Sequence, residues 1–277
     1  MAASTSTTLD DLFANIIAQA RFTAEENSLM AGLVTQYNIG ADAGKTVQVP
    51  KYPAITAAAL TEGTDMTSTT VSTSSVTISI TEVGAQVVLT DIAAMGAGNP
   101  AVELGTVLGN AIATKMDKDL MALFAGFSTG RGGAGTEITV AELFKAAATL
   151  RAANAQGDVF AVIHPFQAYQ LKANLTNTFA NPNGGDAQNA AMQNAFVGTI
   201  AGIDIFESTN MNVDGSDDAI GGVFSREALA LVMKRDFEIE TQRDASLRAF
   251  ELNATAIYGV GELDDAYGVS MTFDAAL

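Results

Sequence analysis

Residues 40–46, with the sequence GADAGKT, come closest in this chain to a phosphate-binding loop. Such a loop needs four spacer residues before its Gly-Lys pair, and this segment has three. It must also open a helix whose N-terminus faces the phosphate, whereas the alternating residues 47–50 predict a strand. A second glycine-rich stretch, residues 130–135, has no strand before it and is interpreted as a flexible connector. The sequence therefore does not predict nucleotide binding.

Side chains for metal binding or proton transfer are scarce. His164 is the only histidine and the chain has no cysteine, which excludes zinc sites and histidine-dependent triads. We expect His164 to be structural, between a buried strand and Pro165. The acidic clusters at residues 214–218 and 262–265 could hold Ca²⁺ weakly, but they lack EF-hand spacing and are interpreted as solvated loop tips. We expect no cofactor, no metal and no catalytic residue.

The composition indicates a chain with much surface hidden in contacts. Of its 277 residues, 48% are hydrophobic and 16% are charged, against about a quarter charged in ordinary soluble domains. No apolar run approaches the ~20 residues of a membrane span, and the N-terminus lacks the pattern of a signal peptide, so a cytosolic compartment is predicted. The formal net charge is −17, which disfavours binding to phosphate polymers. If the protein encloses nucleic acid, it forms a wall around the nucleic acid and does not bind it.

Alternating β-branched and hydroxyl residues predict a long hairpin. Its ascending limb covers residues 47–52, its turn lies near residues 62–65, and its descending limb returns through residues 75–81. A two-stranded arm is marginal in water by itself, and the sequence offers no obvious internal partner, so a neighbouring subunit is predicted to cover it. The apolar positions change parity between Ile80 and Val83, which predicts a bend around residues 81–82.

Helices are predicted on both sides of the hairpin. A helix after Thr8 and a second one, opened by the capping box at residues 23–26 and running through Val34, form an N-terminal arm packed outside the main core. Asn99 and Pro100 start a long helix that reaches Phe124 and spans about 35 Å. Its predicted apolar face consists of Leu104, Val107, Leu108, Ala111, Ile112, Met116, Leu120, Leu123 and Phe124.

The second half of the chain predicts a compact α/β unit at residues 136–225, followed by a helix and two strands. The predicted parts of the unit are a capping box at 139–142 with a helix to about Ala153, a buried strand at 159–163, a helix from Pro165, a polar loop at 181–189 and a short hairpin at 197–206. A helix around residues 227–233 precedes alternating strands at 250–260 and 269–273. These strands are expected to pair as an antiparallel ribbon packed on the long helix.

The order of these parts resembles the major capsid protein of tailed bacteriophages, the Hong-Kong-97-type fold. Residues 44–50 (GKTVQVP) and 76–89 are similar to the two limbs of that family's E-loop, and residues 161–171 (AVIHPFQAYQL) to the strand-proline-helix passage of its axial domain. The remaining similar segments are residues 198–211, 222–228 and 258–261. The resemblance covers nearly the whole chain from about Leu9 and depends on order and spacing.

The resemblance implies an α+β fold divided into consecutive regions. They are an N-terminal arm (1–43), an E-loop hairpin (44–90), the spine helix and start of the peripheral domain (91–135), a central axial α/β domain (136–225), and a return helix with the closing peripheral β-ribbon (226–277). It also implies a structural protein of the virion, assembled in the host cytoplasm into an icosahedral head of pentamers and hexamers around double-stranded DNA. Its partners would be a separate scaffolding protein (or a scaffold segment already removed), a portal and a decoration protein, with no membrane.

Contacts between subunits are expected to use the late cations against acids of a neighbour. The cations are Arg226, Lys234, Arg235, Arg243 and Arg248, and the acids are Glu62, Asp65 and Glu82. Certain members of the family form isopeptide bonds between an E-loop lysine and an asparagine. Here Lys45 and Lys51 lie at the base of the hairpin, out of reach of Asn253 and Glu251, so an uncross-linked shell is predicted.

Three other interpretations stay open from the sequence. An encapsulin-type compartment would share the fold and differ by a pocket for a cargo peptide. A nonviral surface or adhesive protein would explain the Thr and Ala content but would want a signal peptide. An unrecognised hydrolase comes last, because nothing in the sequence places two carboxylates across a cleft.

Overall fold

The computed structural model has a mixed α+β architecture, as predicted. The described residues are 28–40, 44–53, 55–66, 68, 70–92, 101–155, 157–179 and 198–276. The helices are α1 (Leu29–Leu33), α2 (Ala101–Ala122), α3 (Val140–Ala152) and α4 (Pro165–Phe179), with short 3₁₀ turns at Leu123–Gly126, Arg226–Ala228 and Asp265–Tyr267. The strands are β1 (Thr35–Asn38), β2 (Thr46–Lys51), β3 (Ser74–Ser79), β4 (Thr81–Thr90), β5 (Gly130–Gly132), β6 (Val159–Ile163), β7 (Thr199–Ile200), β8 (Ile203–Glu207), β9 (Asp218–Ser225), β10 (Leu229–Asp244), β11 (Ala249–Glu262) and β12 (Gly268–Asp274). The predictions for the helix after Thr8, the capping box at 23–26, Asn99-Pro100 and the loop at 181–189 lie outside the described residues.

The long helix α2 packs against a four-stranded sheet. The strand order is β1-β10-β11-β4, with β11 antiparallel to both of its neighbours. Leu108 and Leu120 of α2 are buried in one cluster with Leu252, Ala256 and Tyr258 of β11. The predicted packing of the long helix on the first closing strand is therefore confirmed, and each buried leucine contributes about 1.5–3 kcal/mol by leaving water.

The buried stripe of α2 is rotated from the predicted one. Val107 is 56% exposed and Ala111 is also exposed, so both were wrongly assigned to the apolar face. The buried face instead includes Ala113 and Asp117, which directly follow the buried residues Ile112 and Met116. On this side of α2, Asp117 contacts the short helix α1.

The short helix α1 belongs to the main core. Met30 is fully buried and Leu33 nearly so, which makes the expectation of an arm outside the core wrong for these residues. The Asp117 carboxylate accepts hydrogen bonds from the N–H groups of Leu29 at 3.2 Å and Met30 at 3.1 Å. N–H groups of the first helical turn have no acceptor within their own helix, so Asp117, which belongs to α2, caps α1. Burial raises the pKa of this carboxyl group.

A six-stranded sheet packs against α3 and α4 and forms a second hydrophobic core with them. Its order is β5-β12-β9-β6-β8-β7, and the buried cluster joins Leu143 and Leu150 of α3 to Ala161 and Ile163 of β6. The predictions of α3, β6, α4 and the β7–β8 hairpin are confirmed. The capping box of α3 is not formed, because the Thr139 side chain makes no capping bond.

Three predictions about the chain around this sheet are wrong. Residues 227–233 are not a helix: after a 3₁₀ turn they begin β10. β11 and β12 do not pair with each other, since β12 lies between β5 and β9 of the six-stranded sheet. The supposed connector at residues 130–135 contains β5, where Gly132 has φ +86° and a Cβ would lie 2.2 Å from the carbonyl oxygen of Thr272. Only glycine tolerates both that conformation and that approach.

Candidate subunit interface

The hairpin has its predicted pairing and a base anchored on its own chain. β2 and β3 are antiparallel, with Val49 opposite Val76. Ile78 is 1% exposed and packs in one cluster with Ala230 and Val232 of β10. The expectation that the chain supplies no partner for the hairpin is therefore wrong for its base.

Two glycines of β11 make this anchoring tight. A Cβ on Gly261 would lie 2.7 Å from Cγ1 of Ile78, and one on Gly259 would lie 2.5 Å from the carbonyl oxygen of Ser79. These separations are too short for real side-chain carbons, so the hairpin base crosses β11 at backbone contact. The Lys51 amine adds an ion pair to Asp264 at 2.7 Å on the other limb.

The predicted bend lies one residue earlier than expected. β3 ends at Ser79 and β4 begins at Thr81, with Ile80 between them in neither strand. Before the bend the strand pairs with β2, and after it the strand pairs with β11. The parity change in the sequence thus marks the point where one run of residues passes from the hairpin to the four-stranded sheet.

The distal part of the hairpin, residues 52–73, is here called the hairpin tip. Its described apolar side chains are exposed, and its turn is closed by the Thr64 N–H, which donates to the carbonyl oxygen of Thr61 at 3.2 Å. The large apolar residues are Tyr52 (70% exposed), Ile55 (59%), Leu60 (65%), Met66 (73%) and Val71 (42%). Soluble proteins seldom leave so many large apolar groups together in water without a binding partner.

The five late cations contact groups of their own chain to different degrees. The Arg243 guanidinium binds both carboxylate oxygens of Asp91, at 2.5 and 2.8 Å, and this pairing lowers the pKa of Asp91. Arg235 lies 3.8 Å from Glu82 and 3.4 Å from Glu238. Pairs this exposed contribute little to stability.

The remaining cations are Arg226, Lys234 and Arg248. Arg226 donates to the carbonyl oxygen of Gly32 at 3.2 Å, and Lys234 donates to that of Gly44 at 3.4 Å. Arg248 forms no ion pair with any residue that the structure describes. The expectation that these cations meet acids of a neighbour stays a prediction.

Residues considered for chemistry are held in structural roles. The Nδ1 atom of His164 accepts a hydrogen bond from the Phe166 N–H at 3.3 Å, which caps α4, and burial lowers the pKa of the imidazole. Asp218 is 3% exposed and accepts the Gly135 N–H at 2.8 Å, so the interpretation as a solvated loop tip is wrong for this residue. Within the described ranges, no group of three or more His, Cys, Asp or Glu side chains could hold a metal ion. No described helix is long and apolar enough to cross a membrane.

Sequence reasoning missed a second exposed apolar site. Ile92 is 85% exposed and Leu247 is 56% exposed, and both lie at the end of the four-stranded sheet. The only signal in the sequence was an apolar residue inside the polar turn between β10 and β11. A single apolar residue in a turn does not indicate a binding surface. The site becomes visible only when the fold places a second exposed apolar residue at the same end of the sheet.

Solved phage capsid structures share the fold of this chain. A capsid structure of the cyanophage P-SCSP1u is 21% identical, with a TM-score of 0.68 over 88% of this chain and 87% of that one. A structure from Mycobacterium phage Che8 is 20% identical, with a TM-score of 0.67 over 83% and 85%. The capsid of the Helicobacter pylori bacteriophage KHP30 is 11% identical, with a TM-score of 0.69 over 90% and 92%. These likenesses establish the Hong-Kong-97-type fold.

The family is established by sequence. No curated protein matches the chain significantly. A family model described as phage capsid protein matches residues 73–270, which include the hairpin's descending limb, α2, three of the four strands of the four-stranded sheet and the six-stranded sheet up to the start of β12. This match favours none of the encapsulin, adhesive or hydrolase alternatives. The chain belongs to the phage capsid protein family, and its role is that of a structural major capsid protein.

Proposed function

We propose that this capsid protein assembles with itself into the pentamers and hexamers of an icosahedral head, and that the hairpin tip holds the neighbouring subunit. The observation that carries the proposal is the contrast along one hairpin. Its base is anchored on its own chain through Ile78, whereas its tip exposes large apolar side chains. A rigid base with an uncovered apolar end fits an arm that extends across the adjacent subunit.

The proposed head encloses double-stranded DNA as a wall, without binding a sequence and without catalysis. The net charge of −17 supports this, because such a chain repels phosphate groups. The proposed partners are a separate scaffolding protein, a portal and a decoration protein, with assembly in the host cytoplasm. These partners follow from the family resemblance, and purification of particles from infected cells tests them by identifying the co-purifying proteins.

Deletion of residues 57–74 tests the role of the hairpin tip. We expect a folded, soluble protein that forms no closed shells, seen as an unchanged circular dichroism spectrum and an absence of particles by electron microscopy. The substitutions Leu60→Ser, Met66→Ser and Val71→Ser together should give the same result without shortening the chain. Thr64→Ser, at an exposed polar position of the same turn, is the matched control and should assemble normally. Normal particles from the deletion variant would exclude the proposed arm.

A further inference from the structure

One edge of the four-stranded sheet has no described strand beside it for much of its length. The parallel strand β1 pairs only with residues 230–233 of β10. From Glu238 to Asp244, β10 stays in continuous register with β11, and no described strand pairs with its other side. We call residues 238–244 the open edge. Alternate backbone N–H and C=O groups there point away from β11, and such an edge is a template for an added strand.

A cavity of about 690 Å³ lies where β1 ends, beside the start of the open edge. Its apolar walls include Ile112 and Met116 of α2, Phe237 of β10, and Ile39, which follows β1. The Ile39 N–H donates to the carbonyl oxygen of Met233 at 3.0 Å, so the cavity adjoins the end of the β1–β10 ladder. A strand added along the open edge would meet this space with its own side chains.

The two faces of the sheet at this edge differ in chemistry. Phe237 and Ile239 are buried in the core cluster that contains α2. Because successive side chains of a strand alternate, Glu238 and Glu240 lie on the opposite face. Glu251 of the neighbouring strand β11 adds a third carboxylate to that face. An added strand would therefore meet apolar carbon on one face and negative charge on the other.

The negative charge at the open edge is only partly balanced. Glu238 lies 3.4 Å from the Arg235 guanidinium, whereas Glu240 forms no ion pair with any residue that the structure describes. Opposite charges on neighbouring strands stabilise a sheet, and like charges directly opposite each other destabilise it. The open edge therefore favours a strand with basic side chains at alternate positions.

A second copy of this chain does not supply such a strand. No two of the 14 basic residues in the sequence are separated by a single residue. Pairing of two copies through the same open edge would also set glutamates against glutamates, which is unfavourable. Both facts indicate that the occupant belongs to a different protein.

The outer edge of β4 is the competing site on the same sheet. β4 is the last strand in the sheet order, and within the described residues no strand lies beyond it. The only charged residue of β4 is Glu82, which lies 3.8 Å from Arg235. This edge offers backbone groups without the row of glutamates, so it does not select a basic strand.

We propose that the open edge of β10 binds an extended segment of a separate protein in which apolar and basic residues alternate. The segment adds a strand to the sheet, with its basic side chains beside Glu238 and Glu240 and an apolar side chain in the cavity beside Phe237. This inference goes beyond the proposed function, which assigns no binding site to any partner other than the chain itself.

A synthetic peptide of alternating lysine and valine is the probe. A length of about nine residues covers the open edge, at ~3.3 Å per residue. Fluorescence anisotropy of the labelled peptide, titrated with subunits that light scattering shows to be unassembled, should give saturable binding. The same peptide with a methyl group on every amide nitrogen keeps its charge but cannot donate backbone hydrogen bonds, and it should not bind. A peptide of alternating glutamate and valine should not bind either.

Amide hydrogen exchange locates the bound peptide. The lysine–valine peptide should slow exchange at residues 238–244 and leave exchange at residues 81–90 of β4 unchanged. Protection of β4 in place of β10, equal binding of the methylated peptide, or no binding of the unmethylated one would each overturn the proposal.

Charge reversal tests the selection of basic residues. Glu238→Lys/Glu240→Lys should weaken binding of the lysine–valine peptide by about tenfold or more and should create binding of the glutamate–valine peptide. Glu62→Lys/Asp65→Lys is the matched control, because it makes the same change of net charge at two exposed residues of the hairpin tip. Equal loss of affinity in both variants would show attraction to net charge alone and would refute the site.

Two further outcomes would assign the open edge to another occupant and overturn the proposal. Binding that appears only after removal of residues 1–27 would assign it to the chain's own first residues. Exchange protection at residues 238–244 in a dimeric subunit without peptide would assign it to a second copy. None of these measurements depends on particle formation, so the proposed function is tested separately.

Discussion

Substitution of Gly261 tests whether the hairpin base is held by shape. A methyl group at this position would lie 2.7 Å from Cγ1 and 3.1 Å from Cδ1 of Ile78. Ile78 is 1% exposed, so its side chain has little room to move away. Forcing an extra carbon into a packed contact costs about 1–3 kcal/mol. We therefore expect Gly261→Ala to lower the free energy of unfolding by about that amount.

The same contact predicts a coupling between two substitutions. Ile78→Ala alone should cost about 2–5 kcal/mol, since it empties a buried site. In the double variant Gly261→Ala/Ile78→Ala the new methyl group occupies part of the emptied space. Its total cost should therefore fall below the sum of the single costs by about 1 kcal/mol or more, within the usual range for residues in contact.

Urea unfolding of the unassembled subunit, followed by circular dichroism, measures these free energies. Light scattering verifies that no particles are present. Gly215→Ala is the matched control, because a Cβ there meets no atom within 4 Å. Additive costs at Gly261 and Ile78, or equal costs at Gly261 and Gly215, would refute the close packing of the hairpin on β11.

Three further predictions concern the core and the assembled shell. Leu108→Asp or Leu120→Asp should cost several kcal/mol, on the order of 3, by burying an unpaired carboxylate, and thermal unfolding like that of the parent would contradict the packing of α2 on β11. Because burial raises the pKa of Asp117, its folded form favours the proton, so this residue's contribution to stability is greatest below pH 3.8 and declines as pH rises through the higher folded pKa. The difference in unfolding free energy between the parent and Asp117→Asn should therefore shift against the parent as pH rises, and the opposite slope would contradict the assignment. Mature particles boiled in SDS should give one band at 28.6 kDa, because Lys51 is paired with Asp264 at the hairpin base; a covalent ladder would contradict the uncross-linked shell.

Elements with one clear period could be predicted from the sequence. The hairpin limbs alternate strictly, and the shift of parity after Ile80 marked the bend to within one residue. The helix α2 repeats apolar residues every three or four positions and was placed correctly. The rotation of its buried face was not foreseen, because the predicted face was built from apolar residues alone and Asp117 is a buried carboxylate. Nothing in a linear pattern shows that a carboxylate will cap a helix far away in sequence.

The start of β10 shows a limit of periodicity. Residues 229–233 read LALVM, a continuous apolar run that fits a buried helix and a buried strand equally well. In the structure Leu229 and Leu231 face the core below α2, while Ala230 and Val232 face the hairpin base. Burial on both faces removes the alternation that would have identified a strand. The hairpin base is therefore the reason that the sequence looked helical here.

Sheet membership at the end of the chain depends on close packing that the sequence does not display. β11 and β12 are neighbours in sequence, and this favoured a ribbon between them. A Cβ at Gly268, the first residue of β12, would lie 2.1 Å from the Phe127 ring, so this glycine lets the strand pass directly beside the turn after α2. β12 then joins β5 and β9. Glycine permits this close approach, and only the fold reveals which group it approaches.

The sequence indicated which charged residues the candidate interface contains, but not which of them are available to a neighbouring subunit. An acidic, lysine-free tip and a group of late cations were visible in the chain, and they suggested contacts between subunits. The structure places several of these cations on their own chain, with Arg235 beside Glu82 and Arg243 on Asp91. Arg248 differs because it forms no ion pair among the described residues and stands beside exposed Leu247. Charge alone therefore does not identify a subunit contact in this protein; an available cation next to exposed apolar carbon is the stronger criterion, because binding then covers both.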